Sequence, residues 1–111
     1  MLSGDDPLTV PLMSVGAKGV ISVTSNVYPR AVQELVAYAL RGDFAGARER
    51  QLAMYGVNRA LFSEPSPSPV KAALTARGIF THRVLRPPLV EASPTCRGRL
   101  AEVMAAFEAR T

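Results

Sequence analysis

Gly19-Val20-Ile21-Ser22-Val23-Thr24-Ser25-Asn26-Val27, with Leu2-Ser3-Gly4-Asp5-Asp6 ahead of it, decides the fold. Val20, Ile21, Val23, Thr24 and Val27 are β-branched, a side-chain type suited to a pleated, crowded environment. The run is short, follows Gly16 and Gly19, and ends at Asn26, so its length and flanks predict a strand over 20–23. Apart from Ser22 it is apolar on both faces, the pattern of a central parallel strand rather than an edge. Leu2-Ser3-Gly4 reads as the tail end of a second strand.

Outward from that stretch the chain is helical. Asp5 and Asp6 are expected as helix N-caps with Pro7 in the first turn, and Leu8, Leu12 and Val15 recur at helical spacing before a stop at Gly16. Pro11, one turn in, predicts a kink. Asn26 and Pro29 open a second helix with a stripe of Val32, Leu35, Val36, Ala39 and Leu40. Gly42 stops it and Asp43 caps the next, which is expected to run from Phe44 to Phe62, with Ala47, Leu52, Met54, Tyr55, Leu61 and Phe62 as apolar members. The short Gly42-Asp43 junction predicts a helical hairpin. In Glu64-Pro65-Ser66-Pro67-Ser68-Pro69, Ser68 reads as an N-cap before a short helix that Gly78 stops. Residues 79–92 carry no period, and Ser93-Pro94 opens a last helix striped by Leu100, Val103, Met104 and Phe107.

The totals narrow the function classes. A chain of 111 residues is one domain at most, yet long enough to bury a core. The net charge of +4 comes from scattered arginines, with Lys18 and Lys71 the lysines, so no basic stripe interleaved with aromatics supports nucleic-acid binding. Cys96 is the one cysteine, which excludes an internal disulfide and a cysteine metal cluster and fits a reducing cytosol. No signal peptide and no stretch of membrane-spanning length is expected. His82, the only histidine, has no partner at metal or triad spacing. Tyr38 and Tyr55 read as packing residues rather than proton relays, and Glu34 and Glu49 as solvated helix charges.

A lone central-type strand needs hydrogen-bonding neighbours on both sides. The chain offers one at most, which predicts the tail of a larger α/β protein whose partner strands lie upstream.

Several blocks carry a resemblance. Leu2 to Asp6, Gly16 to Val27, Gly42-Asp43-Phe44, Leu61-Phe62 and Glu64 to Lys71 stand in the order and spacing of the C-terminal part of dihydrodipicolinate synthase, and the chain resembles that family along essentially its whole length. Ser66 and Ser68 replace the Asn and Ile of the family's Glu-Pro-Asn-Pro-Ile-Pro-Val-Lys, and Arg86-Pro87-Pro88-Leu89 loosely matches a family turn. The resemblance implies an α/β fold, the C-terminal fragment of an eight-stranded β/α (TIM) barrel. Residues 1–41 would hold the end of strand seven, helix seven, strand eight and helix eight, and 42–111 a helical extension.

It further implies a class I aldolase reaction. A lysine forms a Schiff base with pyruvate, the enamine attacks aspartate semialdehyde, and no cofactor or metal takes part. The Ile21 backbone carbonyl would lie beside pyruvate, and Gly4, Asp5 and Asp6 would border the semialdehyde pocket. The family's Schiff-base lysine, tyrosines, substrate arginine and threonines match positions upstream of Met1. Lys18 matches a variable position and Lys71 a scaffold position, so the chain would carry no catalytic residue and be inactive alone. A cytoplasmic homotetramer, with no nucleic acid and no membrane, is the family's expected setting. The alternatives are a non-catalytic remnant, a helical interaction module, or a piece of another pyruvate-dependent aldolase.

Overall fold

In the computed structural model, residues 1–79 and 90–109 are described. They form two compact units, Met1–Tyr55 and Gly56–Thr111. The boundary falls within the stretch expected as one helix from Phe44 to Phe62, and residues on both sides of position 41 share the first unit.

The first unit is built on one parallel bridge between Ser3 and Val20. Ser3 N–H donates to the Gly19 carbonyl at 2.9 Å, Ile21 N–H donates to the Ser3 carbonyl at 2.9 Å, and Lys18 N–H donates to the Met1 carbonyl at 2.9 Å. The two segments therefore pair in parallel as expected, but the expected strand 20–23 shrinks to that bridge. Two facts explain it. Asp6 captures the amides of Val23 and Thr24, which turns the backbone into a 3-10 turn over Thr24–Asn26. Among the described residues no second neighbour pairs with the segment, and Ile21 is 72% exposed rather than buried on both faces.

A 3-10 turn, Asp6–Leu8, leads into α1, Thr9–Ser14. The break between them answers the Pro11 kink: Pro11 falls in the first turn of α1, where its missing N–H has no partner to lose. The expected apolar face is rotated. Leu8 and Val15 are exposed, whereas Asp6, Thr9, Val10 and Met13 are buried. The polar members of that row are tied by hydrogen bonds, which is what permits their burial.

α2, Pro29–Leu40, buries Val32, Leu35 and Ala39 and leaves Leu40 exposed. It packs on α3, Phe44–Ala53, as the predicted hairpin. At the junction Gly42 takes φ +80°, its N–H donates to Ala39 at 3.0 Å, and Asp43 N–H donates to Tyr38 at 2.9 Å. Glycine is needed there because a Cβ disfavours that φ. Asp43 then caps α3, accepting from Gly46 N–H at 3.0 Å. The expected helix 44–62 is two. Met54 ends α3, and α4 spans Tyr55–Leu61 with Gly56, a weak helix former, in its first turn. Leu52, Tyr55 and Phe62 are exposed, while Gln51 and Asn58 are buried in their stead.

In the second unit α5, Ser68–Ala76, packs on α6, Pro94–Glu108. Ser68 is not the N-cap but the first helical residue, and its hydroxyl donates to the Val90 carbonyl at 2.6 Å. Gly78 stops α5 as expected, with Ile79 N–H donating back to Leu74 at 3.0 Å. Ser93 caps α6, accepting from Cys96 N–H at 3.1 Å. Leu61, Val57, Ala73, Cys96, Leu100 and Met104 are among its buried core. His82 and the Arg86–Leu89 turn lie outside the described residues.

Candidate functional site

A parallel pair sends both of its chains out at the same end. Past Ser3 come Gly4, Asp5 and Asp6, and past Val20 come Ile21, Ser22, Val23 and Thr24. The sequence-predicted site residues are thus brought together by the bridge.

Asp6 joins the two exits. It is 4% exposed, and its carboxylate accepts from Ser22 Oγ at 2.5 Å, Val23 N–H at 2.9 Å and Thr24 N–H at 3.2 Å. These are charge-assisted bonds, roughly twice as strong as neutral ones. The expected N-cap role of Asp6 is thereby corrected. The carboxylate serves the opposite loop, 16 to 18 positions away, and not the turn that Asp6 itself begins. Ser22 in turn accepts from Ser25 N–H at 2.9 Å through the same Oγ, which locks the start of the following 3-10 turn.

Asp5, next to Gly4, is held from within its own segment. Ser3 Oγ donates to the Asp5 carbonyl at 3.0 Å and accepts from Asp5 N–H at 3.2 Å. Thr9 Oγ1 donates to that carbonyl at 3.3 Å. Asp5 occupies the N-cap position, but its side chain accepts no capping hydrogen bond. Gly4 and Asp5 are exposed, so their surfaces face out, while the Asp5 backbone is tied to Ser3 and Thr9.

Lys18 lies before the bridge, with its N–H paired to Met1, at the opposite end from Ile21. Lys71 sits on α5, in the second unit. Arg50 lies 3.9 Å from the Tyr38 ring centroid and Arg41 4.3 Å, so the ring is already engaged by cations. Glu34, read as solvated, makes an ion pair with Arg50 at 3.8 Å. Cys96 is buried, its Sγ 3.5 Å from Ser63 Oγ. No group of three or more His, Cys, Asp or Glu suited to a metal occurs among the described residues, and none of their helices is long and apolar enough to cross a membrane.

One residue of the arrangement escapes a reading by motif. Gln51 donates through Nε2 to the Asp6 carbonyl at 3.0 Å and accepts at Oε1 from Val10 N–H at 3.0 Å. The sequence does hold a signal for it. Ala47, Gln51 and Met54 fall on one helical row, and a glutamine on an otherwise apolar row needs internal partners.

The model of the dihydrodipicolinate synthetase family matches residues 1–107. The chain belongs to that family. It is 50% identical over 110 residues to 4-hydroxy-tetrahydrodipicolinate synthase of Sorangium cellulosum, covering 99% of this chain and 36% of the relative. To the enzyme of that name from Aquifex aeolicus it is 48% identical over 104 residues, covering 94% of this chain and 35% of the relative. The crystal structure of the Aquifex aeolicus dihydrodipicolinate synthase superposes with a TM-score of 0.92 at 47% identity, over 96% of this chain and 36% of that one. The structure from Methylacidiphilum fumariolicum gives 0.94 at 40% identity, over 98% and 36%. The chain thus spans little more than a third of the family members it matches, and these are TIM-barrel enzymes, whereas the described residues here are mostly helical.

Proposed function

We propose that this chain supplies part of the substrate pocket of a dihydrodipicolinate synthase, the lyase that condenses pyruvate with aspartate semialdehyde on the route to lysine and diaminopimelate. The Asp6 clamp carries the reading, because it joins the ends of two parallel segments into one fixed rim. In β/α barrels catalytic groups sit at the carboxyl ends of the strands. On this reading Ser3 ends strand seven and Val20 belongs to strand eight. α1 and α2 are helices seven and eight, and residues 42–111 are the helical extension.

Each residue then has a role. The Ile21 carbonyl lies beside pyruvate, and Gly4, Asp5 and Asp6 border the semialdehyde pocket. Asp6 does so while its carboxylate is spent on the loop, so it acts as a structural wall rather than an acid or base. The nucleophilic lysine comes from outside these 111 residues, because Lys18 stands at the wrong end of its segment and Lys71 on a scaffold helix. The chain alone is therefore inactive. The reaction needs no cofactor, and the working enzyme is a cytoplasmic homotetramer.

The test is a chimera in which this chain replaces the matching third of the Sorangium cellulosum relative. The chimera is expected to condense pyruvate with aspartate semialdehyde, and this chain by itself to give no product. Turnover by the isolated chain, or a folded chimera that fails to bind pyruvate, would contradict the proposal.

A further inference from the structure

Gln51 lies on α3 beside the surface residues Arg48 and Glu49, yet it is 7% exposed. A buried amide must have both of its ends satisfied. Its Oε1 accepts from Val10 N–H, a first-turn donor of α1 for which α1 has no side-chain cap. Its Nε2 donates to the Asp6 carbonyl, which also accepts from Thr9 N–H. Asp6 is therefore gripped at its backbone by α1 and α3, and its carboxylate grips Ser22, Val23 and Thr24.

We infer that Gln51 is a positioning residue: through Asp6 it sets the backbone of the Ile21–Thr24 loop, and with it the pyruvate-binding carbonyl. The inference rests on the function proposed above. It assigns a helix of the extension a part in the geometry of the pocket, through side-chain bonds spanning 45 positions of sequence. The link runs through a buried centre, because Gln51, Asp6 and Thr24 are buried and Ser22 and Val23 half-buried, with Gln51 to Asp6 at 3.0 Å and Val23 to Asp6 at 2.9 Å. Rate and binding are sensitive to such placement, since a shift of about 1 Å at a reacting group costs on the order of 10²-fold.

The two ends of the amide separate positioning from mere capping of α1. Gln51→Glu keeps the acceptor for Val10 but loses the donor to Asp6. In the full chain labelled with ¹⁵N, Gln51→Glu should leave Val10 amide exchange unchanged and speed that of Val23 and Thr24 about tenfold, the worth of one hydrogen bond. Changes confined to Val10, or no change at Val23 and Thr24, would overturn the inference. Should Gln51→Glu lose protection throughout, Ser22→Ala approaches the link from its other end. It should speed exchange of the Gln51 side-chain amide protons, and an unmoved Gln51 signal would count against the link. In the chimera, Gln51→Glu should raise the pyruvate KM about tenfold, whereas the exposed neighbour Leu52→Ala should leave it within about twofold. An unchanged KM beside an accelerated loop would mean that the positioned loop is not the pyruvate site, a failure of the functional reading visible apart from the exchange result.

Discussion

The two units of this chain place their polar ties differently. In Met1–Tyr55, buried polar side chains tie together segments far apart in sequence: Asp6 to Ser22–Thr24, and Gln51 to Asp6 and Val10. In Gly56–Thr111, apolar packing of α5 on α6 is joined by polar ties at the start of each helix, Ser68 to the Val90 carbonyl and Glu64 to the cap of α6. Geometry matters most where such ties meet. Directional bonds fix a position, while apolar burial mainly supplies free energy and tolerates adjustment. The proposed pocket rim lies in the unit whose directional bonds converge on one residue, Asp6.

The comparison breaks most sharply at Asp6. Asp6→Ala would strand Ser22 Oγ and the amides of Val23 and Thr24 in a partly buried site. A loss of about 3–5 kcal/mol is expected in chemical denaturation, with exchange at Val23 and Thr24 leading the unfolding. If Asp6→Ala were near neutral, the first unit would be no more directional than the second.

Leu100→Ala probes the other side. Leu100 is 2% exposed in the α5–α6 packing, and its truncation should cost about 2–4 kcal/mol. That loss should spread over both helices in hydrogen exchange instead of settling on one loop.

Gly46→Ala sharpens the account of the first unit. A Cβ at Gly46 would meet Tyr38 Cδ1 at 2.7 Å, so the ring must leave its place against Arg41 and Arg50. About 1–3 kcal/mol of destabilisation is expected, together with a shift of the Tyr38 ring resonances. An unmoved ring would count against the close approach of Gly46 to Tyr38.

Ser93→Ala has the smallest effect and a pH signature. Ser93 caps α6 and donates through both N–H and Oγ to Glu64. The hydroxyl bond and then the amide bond hold the Glu64 carboxyl below its ordinary value, against a smaller opposing effect of desolvation. A carboxyl lowered in the folded state stabilises above its unfolded value, and that contribution is lost as pH falls through the folded one. Stability should therefore drop on acidification in the wild type. Ser93→Ala should lose about 1 kcal/mol at neutral pH from the missing cap and show a shallower acid drop.

The same contrast governs what could be read from the chain alone. Signals that act within one turn were legible. Gly16, Gly42 and Gly78 stop helices, Asp43 and Ser93 cap them, and Val32, Leu35 and Ala39 face inward. The parallel partnership of Ser3 with Val20 was legible too, from two short runs and their order. The face of α1 was not, because Leu8 and Val15 look like core whereas Thr9 and Asp6 are buried only by virtue of partners elsewhere. The Asp6 clamp and the Gln51 link span 16 to 45 positions, a range at which periodicity carries no information. The candidate site was placed by resemblance, and the clamp that holds its rim came from the structure.

The most direct test of the central claim, that these residues form wall and scaffold while the nucleophile lies elsewhere, is reductive trapping with pyruvate and borohydride followed by peptide mapping. In the isolated chain no adduct is expected, and in the chimera a single adduct should fall on a lysine contributed by the Sorangium cellulosum portion. A pyruvyl adduct on Lys18 or Lys71 would contradict the account.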